Sequence, residues 1–420
     1  MVNAAIMVAG GARAVARCDA LGVAPYSDMT DGLYRGYLTP AHEATLKVVA
    51  GWMRAAGMTE RIDPAYNLVG RYDGTDREAP ALLIGSHIDS VRDAGRYDGP
   101  LGIMLGIELV AALHDAGEAL PFPIEVIAFG DEEGSRFPAA MFTSRAVAGT
   151  LDPAMLDVAD KDGVSLASAM AGMGRDVACY PLAARPAGSA LAYLETHIEQ
   201  GPVLEAEGLA LGTVTGIAAQ LRFQVKVSGM AGHAGTTSMS LRRDALAGAA
   251  EMMLAIEVVA RNDASDLVAT VGRIEAGPGA ANVIPGHVAF TIDIRSGDVT
   301  RRDRAAEAIL GRIAGIADVR DLDFNIERIH DLPASPSDPH LMELLDAALA
   351  AEGFPARRLV SGAGHDAMVM AALCPTAMLF IRCRDGISHN PAEHVEPDDA
   401  DAALRVMLQF VRMLADDFSG

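Results

Sequence analysis

Two apolar runs set the frame of the chain. Residues 81–86 (Ala-Leu-Leu-Ile-Gly-Ser) are nearly all apolar over the length of a buried strand, and residues 124–129 repeat the pattern. Between them, residues 101–113 carry the i, i+3, i+4 apolar spacing of a helix. A strand–helix–strand order predicts parallel strands with a helix laid across them. Each run ends in residues that can bind a metal. His87 and Asp89 follow the first, Asp131-Glu132-Glu133 follow the second, and Asp98 lies in the turn Tyr97-Asp98-Gly99-Pro100. The ends of strands are where such sheets build their sites.

The pattern changes near residue 215. The reading there is strand 221–227, helix 243–260, strand 267–274, strand 287–295, helix 301–316 and strand 322–328. This β-α-β-β-α-β order is the ferredoxin-like plan. The chain is therefore expected to be α/β. A domain with a central mixed sheet flanked by helices takes residues 1–214 and 329–420, and a compact α+β domain is inserted over 215–328. His389 lies beyond the insertion, so the outer pieces must meet to complete a site with His87. The helix over 245–259 has a small apolar face, which reads as core packing and in part as a dimer interface.

A length of 420 residues suits two domains better than one core. A net charge of −22 argues against nucleic acid and anionic membranes as partners. No apolar run reaches the ~20 residues of a membrane span. Residues 368–381 come nearest, and they contain Pro375. The start of the chain, with Arg13 and Arg17 after a weak apolar stretch, lacks the charged opening of a secretory signal. Cys18, Cys179, Cys374 and Cys383 have no metal-like spacing and read as buried small hydrophobes in a reducing cytoplasm.

The candidate chemistry lies in His87, Asp98, Glu132, Glu133, His197 and His389. Neutral imidazole suits zinc and its neighbours, and a carboxylate with two oxygens can bridge two cations. Asp98 is the bridging candidate. Two adjacent glutamates leaving a strand do not both turn easily to one ion. Glu133 therefore reads as a ligand, and Glu132 as the base for a water whose pKa the metal lowers to roughly 7. Asp89, two residues after His87, is placed to accept the other ring N–H and fix its tautomer. An isolated H-x-D or Glu-Glu pair would be ordinary polar punctuation; the combination is specific. Gly277-Pro278-Gly279 fails the full dinucleotide pattern and reads as a turn presenting Asn282. Gly362-Ala363-Gly364-His365-Asp366 reads as a tight loop without a phosphate-binding Lys.

With these residues in place, the chain resembles the zinc-dependent aminoacylase and carboxypeptidase-type amidohydrolases. Within them it is similar to the allantoate amidohydrolase and N-carbamoyl-L-amino-acid hydrolase branch. The matching stretches are GSHIDSVRDAGRYDG (85–99), DEEGSRF (131–137), ETHIEQGPVL (195–204), GHAGTT (232–237), NVIPG (282–286), GAGHDAM (362–368) and GISHNPAE (386–393). The resemblance implies two divalent metal ions per subunit, zinc or an active form with manganese, cobalt or nickel. They would be held by His87, Asp98, Glu133, His197 and His389, with Glu132 as base. It implies that Gln200, Gln220, His233, Asn282, Arg295 and Gly364 hold substrate. Arg295 would clamp a carboxylate, and His233, given by the neighbouring subunit, would polarise the scissile carbonyl. It also implies that the inserted domain is a lid and a homodimer interface. Gly232, Ser238 and Leu221 depart from the usual residues around the HAGTT stretch and Gln220, away from the metal set.

The expected reaction is hydrolysis of the terminal ureido C–N bond of a small anionic substrate, releasing ammonia and carbon dioxide. The Cys383 segment (IRCRDGISHNPAE) resembles allantoate amidohydrolases more than carbamoylases. Allantoate is thus the expected substrate, and N-carbamoyl-L-amino acids (or β-ureidopropionate) the runner-up. A dipeptidase or aminoacylase is disfavoured because His197 stands where those relatives often use a carboxylate. A metal-dead binding protein is disfavoured because every ligand position is filled.

Overall fold

The computed structural model describes residues 9–419. The expectation about a secretory start falls largely on residues 1–8, outside the described residues. The chain divides into two compact units, the second being Gly216–Pro336 with Val360–Ala363.

The first unit is built on a mixed sheet. Its strands include β1 (Thr59–Ile62), β2 (Leu68–Tyr72), β3 (Ala81–His87), β4 (Ile124–Phe129), β5 (Ala190–Ile198), β6 (Leu211–Ile217) and β7 (Thr376–Ile381), in the spatial order β1-β2-β4-β3-β5-β7-β6. The four central strands β4, β3, β5 and β7 run parallel. The flanking pairs β1/β2, β2/β4 and β7/β6 are antiparallel. β3 and β4 are buried at every residue, which is why both read as continuous apolar runs. The helix Pro100–Ala116 packs on β3, β4 and β5, and it is apolar almost all round because nearly every side is covered. Parallel strands share one carboxyl end, so His87, His197 and the Asp131-Glu132-Glu133 turn emerge from one edge of the sheet.

The second unit has its own core. Strand Ala219–Ser228 alternates between buried Leu221, Phe223, Val225 and Val227 and more exposed polar neighbours, so one face packs on the helices Ala245–Arg261 and Val299–Val319. Helix Ala245–Arg261 buries Ala245, Gly248, Ala249, Met252 and Ile256, its small apolar stripe. The sheet order is Ile274–Gly277, His287–Ser296, Ala219–Ser228, Asp323–Leu332, with Val268–Thr270 paired to His287–Ser296.

Three sequence expectations are corrected. The single strand over 267–274 is two short ones. Thr270 pairs with Asp293 and Ile274 with Phe290, so three residues (271–273) face two (291–292) and the pairing is interrupted there. The unit also runs past residue 328, because its last strand continues to Leu332 across a bulge between Arg328 and His330. Finally, Cys179 is exposed, in a short surface 3-10 turn, whereas Cys18, Cys374 and Cys383 are buried; all four are free thiols. Among the described residues no helix is long and apolar enough to cross a membrane.

Candidate metal centre

Asp98 is the centre of the site. A helix starting at Pro100 follows it directly, and Gly99 adopts a φ of 83° where its backbone passes against His87. Asp98 Oδ1 lies 3.3 Å from His87 Nε2 and 3.2 Å from His197 Nε2. Its other oxygen, Oδ2, lies 3.3 Å from His389 Nε2, which is itself 3.2 Å from Glu133 Oε1. The two oxygens thus face two donor sets, His87 with His197 and His389 with Glu133. The groups His87/Asp98/His197, Asp98/Glu133/His389 and His87/Glu132/Glu133 each bring their donor atoms within 4.8 Å of one another.

The tautomers suit metal binding. His197 Nδ1 is 2.9 Å from the Ile198 carbonyl and His87 Nδ1 is 3.1 Å from the Asp89 carbonyl. Each Nδ1 therefore donates to a backbone oxygen, and each Nε2 lone pair turns to Asp98. The Asp89 carboxylate was expected to hold His87. It lies 3.5 Å from His87 Nδ1, long for a hydrogen bond, and instead accepts the backbone N–H groups of Glu132 (3.0 Å) and Glu133 (3.2 Å). Asp89 thus supports His87 through its main chain and fixes the Glu132-Glu133 turn through its side chain.

The electrostatics call for positive charge at this point. Burial opposes a charge on His87, but Asp89 and Asp98 raise its pKa well above the ordinary imidazole value. Hydrogen bonding to Asp98 and Glu133 raises His389 to about 10. Burial would raise Asp98, yet the imidazoles of His197, His389 and His87 hold it well below the carboxylate range. Asp98 Oδ1 and His197 Nε2 are both buried without a hydrogen-bond partner among the described residues. A cation between them would satisfy both atoms, and this donor set of imidazoles and carboxylates fits divalent ions of the zinc type. Glu132 is raised well above its usual value by burial and by its carboxylate neighbours Glu133, Asp366 and Asp89, against the charge of His87.

The expected substrate residues fall into separate groups. In the first unit, Gln200, at a φ of 57°, donates to Asp98 Oδ2 (2.8 Å) and to Ser388 Oγ (3.2 Å). Gly364 lies beside Glu132: a Cβ there would sit 3.9 Å from Glu132 Oε1. In the second unit, Gln220 and Arg295 share Asp293. Gln220 Nε2 donates to Oδ2 at 2.9 Å, and Arg295 reaches Oδ1 at 2.8 Å and Oδ2 at 3.1 Å. Arg295 also donates to the Gly362 carbonyl. His233 and Asn282 meet on a two-stranded ribbon, with His233 opposite Val283 and Ala234 N–H donating to the Asn282 carbonyl. Both residues are exposed.

Sequence reasoning passed over several residues at the centre. Ser388 Oγ donates to Asp98 Oδ2. The His365 ring packs on His197 with centroids 4.4 Å apart, and burial together with His197 lowers its pKa well below the usual value. Glu195 accepts from Ser86 Oγ and the Ala367 N–H, which ties the strand carrying His87 to the first turn of the helix Asp366–Met370. Glu393 accepts the N–H groups of Tyr97 and Asp98. The available signal was adjacency: Ser388 and Glu393 flank His389 in one short stretch.

A mixed α/β sheet with a carboxylate among imidazoles beside its strand ends is a candidate metal centre, and the family match makes the protein a hydrolase. The chain belongs to the Peptidase family M20/M25/M40, which matches residues 83–413. It is 43% identical to an allantoate deiminase from Arabidopsis thaliana, over 95% of this chain and 81% of that one. It is 42% identical to an N-carbamoyl-L-amino acid amidohydrolase from Geobacillus stearothermophilus, over 91% of this chain and 94% of the other. The crystal structure of a hydantoinase/carbamoylase family amidase from Burkholderia multivorans superposes with a TM-score of 0.90 at 34% identity, covering 97% of this chain and 98% of that one.

Proposed function

We propose that this chain is a metal-dependent amidohydrolase that cleaves the terminal ureido C–N bond of a small anionic substrate, with allantoate favoured. The observation that carries the proposal is the Asp98 carboxylate, with one oxygen toward His87 and His197 and the other toward His389. One ion would be held by His87, His197 and Asp98, the other by Asp98, Glu133 and His389. Bound there, divalent ions would polarise the ureido carbonyl and lower the pKa of water toward neutrality.

The chain's own residues supply the rest. Glu132, buried beside His87 and Glu133, takes the proton of the attacking water on a carboxylate oxygen. It returns that proton to the terminal nitrogen, which departs as ammonia, and the carbamate left behind loses carbon dioxide to give the free amine. His233 Nδ1 accepts the Gly235 N–H at 3.0 Å, which leaves Nε2–H as the donor. That N–H, offered from a partner subunit, steadies the developing oxyanion. Arg295, oriented by Asp293, would clamp the substrate carboxylate, and Gln200, Gln220, Asn282 and Gly364 are the further residues proposed to bind substrate. The second unit acts as lid and homodimer contact. In support, Leu254, Val258 and Val319 on its helices are 64%, 41% and 86% exposed, an apolar face suited to cover. The proposed site of action is the cytoplasm, a reading supported by the four free thiols.

The runner-up substrate, an N-carbamoyl-L-amino acid, is favoured by the Geobacillus relative. Ammonia release by manganese- and zinc-loaded protein, with allantoate and a panel of N-carbamoyl-L-amino acids side by side, separates the two. A strong preference for allantoate is expected. Preference for a carbamoyl amino acid would select the runner-up, and turnover of neither would overturn the ureido reading.

A further inference from the structure

The Asp98 side chain accepts from Gln200 Nε2 and Ser388 Oγ on Oδ2, and the backbone of its turn is held separately. Asp98 sits in a Gly-rich turn, between Tyr97 and Gly99, and it must present two oxygens in two directions. The turn is held from a distant part of the chain. Glu393 Oε1 accepts the N–H of Tyr97 at 2.7 Å and the N–H of Asp98 at 3.1 Å, across nearly three hundred residues of sequence. Glu393 is 5% exposed, so these bonds have no competition from bulk water. Its own backbone is fixed to the loop of His389: Glu393 N–H donates to the Asn390 carbonyl at 3.0 Å, and Ala392 N–H donates to Asn390 Oδ1 at 2.9 Å. His389 itself holds a left-handed φ of 55°, so that loop has a defined shape. The packing leaves no slack. A Cβ at Gly95 would overlap the carboxyl carbon and Oε1 of Glu393.

We propose that Glu393 is a positioning residue for the two-ion centre. By accepting two adjacent amides it sets the direction of the Asp98 carboxylate, and it locks the Asp98 turn to the loop carrying His389. The proposal rests on the two-ion reading above. Glu393 belongs to none of the three donor groups, so its effect on the centre runs through Asp98. Groups that orient metal ligands typically change metal affinity about 10- to 100-fold when removed.

The test is cobalt(II) titration of the full chain, read by its d–d absorbance and by retained metal after dialysis. Wild type is expected to take up two ions. Glu393→Ala should weaken the second ion at least about tenfold and change the absorbance of the occupied site. Glu393→Gln keeps an amide oxygen at the same reach and should restore both. Glu393→Asp keeps the charge but is one methylene short, and should fail as Ala does. Gly95→Ala displaces the carboxylate without altering Glu393, and should reproduce the loss even if Glu393→Ala does not fold. Wild-type affinity and absorbance in both Glu393→Ala and Gly95→Ala would overturn the proposal, as would rescue by Asp and not by Gln. A wild-type chain that takes up a single ion would instead overturn the two-ion reading, and this proposal with it.

Discussion

Asp98 Oδ1 lies 3.2 Å from His197 Nε2, and neither atom has a hydrogen-bond partner among the described residues. A cation shared between that carboxylate oxygen and imidazole nitrogen would satisfy both, as the proposed two-ion centre requires. Asp98→Asn keeps the size and removes the charge. It should lose both ions and abolish ammonia release, measured by metal analysis after dialysis and by activity on re-addition of zinc or manganese. Full retention of two ions in Asp98→Asn would refute the bridging role.

Glu132 and Glu133 are neighbours with different surroundings. Glu133 shares the Asp98/His389 group, whereas Glu132 lies with His87 beside Gly364. Glu132→Gln should keep two ions and lower ammonia release by about 10²-fold or more, the usual worth of general acid–base help. Metal content and kcat measured on the same preparation check this. Unchanged kcat would remove Glu132 from the base role.

His42 is fully buried in the first unit, with both ring nitrogens unpartnered among the described residues. Burial, followed by the charges of Arg35 and Arg136, lowers its pKa to about 3 from 6.5. The unfolded chain therefore binds a proton that the folded chain refuses between about pH 6.5 and 3. Stability should rise with pH across that window, by about 1.4 kcal/mol per unit from this residue. His42→Leu should flatten that part of the profile, read from urea unfolding midpoints at several pH values. An unaltered slope in the variant would count against the assignment.

Leu254 and Val319 are among the most exposed large apolar side chains of the second unit. If this face joins two copies, Leu254→Glu with Val319→Glu should convert a dimer to a monomer at micromolar concentration in sedimentation runs. A dimer that survives both changes would move the contact elsewhere.

The strands leading to the centre were legible because parallel strands buried on both faces need continuous apolar runs, as in 81–86 and 124–129. The ligand types were legible because imidazoles and carboxylates at strand ends stand out against such runs. The strand over 267–274 misled, because a single extra residue opposite 291–292 is a property of pairing and leaves no periodicity of its own. Cys179 misled because the lack of metal-like spacing does not say whether a thiol in a short surface turn is covered.

The sequence by itself determined which groups are available for chemistry and the order in which strands and helices present them. That information is local, carried by side-chain type and by periods of two and of 3.6 residues. Only the tertiary structure decided that the oxygens of Asp98 face two different pairs of donors, that Asp89 serves the Glu132-Glu133 amides more than His87, and that Glu393 holds the Asp98 turn. Those relationships depend on ångström-scale register between segments hundreds of residues apart. Packing and backbone hydrogen bonds set that register, and no local pattern encodes it.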